Sequence, residues 1–138
     1  GLAGLRVGYV LSSINIIKEM HKVRPMYEIN NIAAELFNKY LDKKSLVRNS
    51  VRRLLEGKKY FTKEMQNLGF DLFKKEEGNF IHVNFKNHRE KILKQLSKRV
   101  YFRHNESHKS IANFSRFTLT SIENFKQITK IIKKTINR

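Results

Sequence analysis

Residues 114–125 read FSRFTLTSIENF, and their pattern changes period in the middle. Phe114, Arg116 and Thr118 fall on one side of a two-residue repeat, with Ser115, Phe117 and Leu119 on the other, which predicts a strand. Thr120 and Glu123 then stand at the T-x-x-E spacing of a capping box. Ile122, Phe125, Ile128, Ile132 and Ile136 follow at helical intervals and form one stripe. If Phe117 and Leu119 turn toward the helices, Arg116 looks outward from a rigid strand. A guanidinium rooted in this way suits two-pronged capture of a carboxylate or phosphate. The plainer reading is a solvated surface arginine. Arg103, at the end of VYFR (100–103), has the same two readings.

Working upstream, FDLF (70–73) and NFIHVNF (79–85) predict two strands joined by the charged turn KKEEG (74–78). HREKILKQLSK (88–98) predicts a short helix with Ile92, Leu93 and Leu96 inward, and HNESHKSIA (104–112) a loop. Val51, Leu54, Leu55, Phe61, Met65 and Leu68 define a helix over about 49–68, with Gly69 placed as its C-terminal cap. Gly57 inside it costs about 1 kcal/mol relative to Ala. Ile29, Ile32, Ala33, Leu36, Phe37, Tyr40 and Leu41 predict a further helix with a buried face. SSINIIKEMHKV (12–23) predicts a helix capped by Ser12 or Ser13. That helix must stop before Pro25, because the residue preceding a proline is pushed out of helical geometry. RPMYEIN (24–30) is then an extended joint and the expected boundary between structural units. LRVGYVL (5–11) alternates and predicts a strand, with Gly8 leaving room for close approach to the backbone near Arg6. From the second helix onward the expected order is helix, helix, strand, strand, helix, strand, strand, helix. This is an α+β fold with helices packed on a small sheet.

Composition narrows the possible classes. With 138 residues the chain fits one domain, and 40% hydrophobic residues exclude wholesale disorder. No apolar run approaches the roughly 18 residues of a membrane span, so a soluble protein is expected, without a membrane partner. The absence of cysteine removes disulfides and thiolate metal sites and suits the cytoplasm. Lys and Arg number 29 against 12 Asp and Glu, a net charge of +17, which raises a basic nucleic-acid-binding α+β module as an alternative. The lysines are dispersed on the polar sides of most helices, though, so no specific nucleic-acid partner is expected. His104 and His108 lie four apart in a polar loop without a third ligand, and no metal is expected. GLAG (1–4) is not a G-x-G-x-x-G fingerprint, and no P-loop or G-x-S-x-G is present.

Five blocks in order carry a resemblance. GLAGLRVGYVLS (1–12) resembles the segment after the cofactor-bearing lysine in class I/II pyridoxal-phosphate aminotransferases, especially the histidinol-phosphate aminotransferase group. KVRPMYEINNIAAE (22–35), EEGNFIHVNF (76–85), RVYFR (99–103) and FSRFTLTSIENF (114–125) resemble later blocks of that family, so the match spans essentially the whole chain. Thr120 stands where the family has glycine, and Ser115 where it has leucine.

The resemblance implies residues 1–24 as the tail of the large cofactor-binding domain, one strand and one helix. It implies residues 25–138 as the C-terminal small domain with the interdomain helix. It implies pyridoxal 5'-phosphate as cofactor, with amino-acid and keto-acid or phosphate-bearing substrates and a homodimer. Arg6 matches the arginine that binds the cofactor phosphate and Arg116 the one that grips the substrate α-carboxylate. Arg103 matches a strand-end arginine that, in the histidinol-phosphate branch, helps bind the substrate phosphate. The cofactor-bearing lysine is expected upstream of Gly1, so no catalytic residue is expected within the chain, which should be inactive alone. A decarboxylase of amino-acid phosphates on the same fold would share Arg6 and Arg116.

Overall fold

The computed structural model describes residues 3–74, 76–100, 102–104 and 108–137. They form two compact units, one up to Ser50 and one from Val51 onward. Helix α3 (Lys44–Asn67) begins in the first and continues into the second.

In the second unit α3 is followed by β1 (Asp71–Leu72), β2 (Phe80–Asn84), α4 (Arg89–Leu96), β3 (Arg103–His104), β4 (Ser115–Thr118) and α5 (Ile122–Ile136). The element order is the one predicted. The strands form an antiparallel sheet in the order β1-β2-β4-β3. Its register explains the burial. Ile81 stands opposite Phe117 and Val83 opposite Ser115, and all four are buried on the face that the helices cover. Phe61 of α3 stacks on Phe125 of α5, with ring centroids 4.3 Å apart and planes 12° from parallel. It also tilts against Phe117 of β4 at 5.5 Å. Ile92 and Leu96 of α4 and Ile128 and Ile132 of α5 complete the core. Full burial of each such side chain is worth about 1.5–3 kcal/mol.

Helix α3 ends as the sequence asks. Gly69 has φ 77°, its N–H donates to the Gln66 carbonyl (2.9 Å), and the Phe70 N–H reaches the Met65 carbonyl (3.1 Å). This pair of bonds is a Schellman motif, and Met65 and Phe70, which it brings together, are both buried. At the start of α5 the structure differs from expectation. The N-cap is Ser121, not Thr120. The Thr120 hydroxyl instead accepts from the Asn124 side chain (2.8 Å). Gly57 costs helix propensity but is needed for packing, because it is buried and a Cβ there would collide with the Thr120 carbonyl oxygen.

The first unit contains a 3₁₀ turn (Ala3–Leu5), α1 (Ile14–Lys22), α2 (Asn31–Leu41) and the start of α3. Ser13 is the N-cap of α1, which stops at Lys22, ahead of Pro25. Asn30 caps α2, its side chain accepting from the Ala33 N–H at 2.8 Å. Two expectations are corrected here. LRVGYVL is not a strand: beyond the turn, residues 6–11 have no regular structure. Alternation alone does not make a strand; a ladder needs a partner, and among the described residues none pairs with it. Nor is the α2 stripe a buried face, since only Ala33 is buried on it, while Ile32, Leu36 and Leu41 are exposed. The periodicity gave the helix correctly, but burial requires a neighbour that this unit does not supply. Among the described residues no helix is long and apolar enough to cross a membrane.

Candidate functional site

The sheet has a second face, opposite the helices, and β2 and β4 place Phe80, His82 and Arg116 on it. Phe117 and Ser115 being buried on the core side, pleating turns Arg116 outward, as predicted from the alternation, and it is half-buried. Its guanidinium carbon lies 5.2 Å from the centroid of the Phe80 ring. That is within the range in which a cation is attracted to an aromatic face. Across the ladder Arg116 stands opposite His82 on one side and Arg103 on the other. The register therefore brings the backbones of the two predicted substrate-binding arginines together.

The rest of this face is aromatic. His82 meets Phe80 edge-on at 5.3 Å and Phe73 at 6.1 Å, and Phe73 meets Phe114 at 5.7 Å. His82 is buried although it points away from the core, because Phe73 and the 76–79 connection lie against it. One Glu76 carboxylate oxygen accepts from the His82 backbone N–H (2.9 Å) and the other contacts its ring Nδ1, in a pair shielded from solvent on both sides. Lys58 of α3 holds the same connection, donating to the carbonyls of Glu76 (2.6 Å) and Gly78 (3.3 Å). Next to this face, Asn84, Lys86, Arg89 and Asn113 line a polar cleft. Among the described residues no group of three or more His, Asp or Glu is arranged to hold a metal.

Arg6 lies in the first unit, exposed, with φ 56°. A positive φ is uncommon for a residue with a side chain. The turn is closed by the Arg6 N–H donating to the Ala3 carbonyl (3.2 Å). Gly8, two residues on, has open space where a Cβ would stand. Sequence reasoning missed Phe80, His82 and Glu76. The N-F-I-H alternation carried a usable signal, since it puts Phe80 and His82 on the face that Arg116 shares once β2 and β4 are paired.

A helix-covered antiparallel sheet with an outward arginine on its penultimate element is the form of the second unit, and comparison with known families gives the class of the chain. The profile of the aminotransferase class I and II family matches residues 1–132, and the chain belongs to that family. Its relatives include histidinol-phosphate aminotransferases from several organisms. The Carboxydothermus hydrogenoformans enzyme named histidinol-phosphate aminotransferase 2 is 31% identical over 99 residues, 72% of this chain and 27% of that protein. The Clostridium novyi enzyme is 25% identical over 133 residues, 96% of this chain and 37% of its own length. The Flavobacterium psychrophilum enzyme is 27% identical over 130 residues, 93% and 37% respectively. The chain thus spans between about a quarter and two fifths of these curated relatives.

Proposed function

We propose that the chain is the C-terminal part of a pyridoxal-phosphate-dependent aminotransferase, similar to the histidinol-phosphate group, that moves an amino group between an amino acid and a keto acid or phosphate-bearing substrate. In this reading residues 1–24 end the large domain, residues 25–138 form the small domain, and the intact enzyme works as a homodimer. The observation that carries it is Arg116, half-buried on the open sheet face and stacked on Phe80, within a chain of this family. Among the described residues it has no carboxylate partner, so its N–H donors remain for a substrate carboxylate. Arg103, opposite it in the ladder, would meet a substrate phosphate.

The residues present fit the cofactor. Arg6 is an exposed guanidinium without an ion-pair partner among the described residues, and the space beside Gly8 is open, as a bound phosphate would require. When bound, pyridoxal phosphate supplies the electron sink for chemistry at the amino-acid α-carbon. What this chain contributes is binding and orientation: Arg6 holds the phosphate end of the cofactor, and Arg116 fixes the carboxylate of the substrate. No proton-transfer group is assigned within the chain, which is therefore proposed to be inactive alone.

The test is amino transfer from histidinol phosphate, and from several amino acids, to a keto acid by the intact enzyme. Turnover is expected and should be lost in the 138-residue chain. An intact enzyme that transfers no amino group from any of these donors would defeat the reading.

A further inference from the structure

We infer that Phe80 is a positioning residue for the Arg116 guanidinium, and that the 76–79 connection is built to hold its ring in place. The inference rests on the reading of Arg116 as the carboxylate clamp and adds to it how the clamp is held. A free arginine side chain loses about 2 kcal/mol of rotamer entropy when it is fixed. A carboxylate partner would fix it at the expense of the donors the substrate needs. An aromatic face instead attracts the cation and consumes no N–H. Phe80 offers that face, its centroid 5.2 Å from the guanidinium carbon.

The ring is itself constrained from several directions. A Cβ on Gly78 would stand 2.7 and 2.8 Å from two Phe80 ring carbons, so only glycine lets the ring lie over the backbone there. The His82 ring meets Phe80 edge-on at 5.3 Å, and Glu76 ties His82 to the connection. Lys58 fixes the carbonyls of Glu76 and Gly78, and the Leu119 N–H donates to the Asn79 carbonyl (2.9 Å), joining the connection to the end of β4. Phe80 is only half-buried and lies on the face away from the core, so filling the core does not account for these constraints.

Three variants test this: Phe80→Leu removes the π face, Phe80→Tyr keeps it, and Gly78→Ala displaces the ring without altering it. The first readout is the arginine-selective ¹⁵N–¹H spectrum of the full chain, in which the ring current of Phe80 marks the Arg116 Nε–H. That signal should move toward the unstructured position in Phe80→Leu and Gly78→Ala and stay near wild type in Phe80→Tyr. The second is kinetics of the intact enzyme: KM for the amino-acid substrate should rise roughly 3- to 30-fold in the two disruptive variants, with kcat little changed. Phe80→Tyr should restore KM to within about twofold. An Arg116 signal unmoved in both Phe80→Leu and Gly78→Ala overturns the inference, as does an unchanged KM while Arg116→Lys raises it. If Arg116→Lys leaves KM alone, the clamp reading is what fails, and the spectrum still decides whether Phe80 holds the guanidinium.

Discussion

Gly57 and the carbonyl oxygen of Thr120 occupy space that a single methyl group would contest. The glycine sits in the middle of α3, where helix propensity alone predicts a gain of about 1 kcal/mol on replacement by alanine. The contact reverses the sign. The added Cβ would meet backbone, which cannot swing aside, and would also press on the Phe125 ring at 3.3 Å. Gly57→Ala is expected to lower stability by about 1–3 kcal/mol, read from urea or thermal unfolding. A variant more stable than wild type would show that the α3–α5 junction is looser than this.

Thr129 presents the opposite opportunity. Among the described residues its hydroxyl, buried in α5, has no hydrogen-bond partner, and neither has that of Ser115 in β4. An unsatisfied buried polar group costs about 1–3 kcal/mol, and an apolar group of the same shape removes the cost. Thr129→Val keeps the β-branched shape and should raise stability by about 1 kcal/mol. Destabilisation would mean that the hydroxyl has a partner after all, a buried water being the obvious one.

How far these features were legible depended on whether they are local. The Schellman end at Gly69, the stop before Pro25 and the outward turn of Arg116 follow from residues within a few positions of one another. The cap of α5 lies one residue beyond the one expected because Thr120 and Ser121 are both good caps, and spacing alone does not choose between them. Residues 5–11 alternate like a strand, yet strand formation depends on a partner that a sequence pattern does not contain. The Phe80 platform needed the β2–β4 register, and the Glu76–His82 pair needed the path of a loop. Neither is written in spacing.

Two ionisable groups on α5 give stability opposite pH limits. Hydrogen bonding by Ser121, then by its own backbone amide, holds the Glu123 carboxyl below its ordinary 4.5. Its contribution is therefore present above that value and lost as pH falls through the lower folded value. Lys133 is raised above 10.5, chiefly by its hydrogen bond to Glu64, at 2.6 Å. That contribution is complete below 10.5 and disappears as pH rises through the higher folded value. Both groups are on the surface, so the effects should be small and weakened by salt. Glu123→Gln should flatten the acid limb of the stability profile and Lys133→Met the alkaline limb. Each should leave the other limb unchanged, as measured by unfolding across pH.

Arg116→Lys separates charge from geometry at the proposed carboxylate clamp. Lysine keeps the positive charge but loses the planar fork that can hold both carboxylate oxygens, and its compact ammonium cannot stack on Phe80 in the same way. Loss of part of a charge-assisted bidentate pair costs about 2–4 kcal/mol, or roughly a hundredfold or more in kcat/KM for amino-acid substrates of the intact enzyme. Folding should be little affected, because the guanidinium lies on the face away from Phe61, Phe117 and Phe125 and adds nothing to that core. Arg103→Lys should act differently, weakening phosphate-bearing substrates more than plain amino acids. The decisive comparison is kcat/KM for several donors alongside the unfolding temperature. A hundredfold loss with unchanged unfolding assigns Arg116 to the substrate. Near wild-type kinetics across all donors would return it to the surface, and a matching loss of stability would make it a structural residue of the sheet.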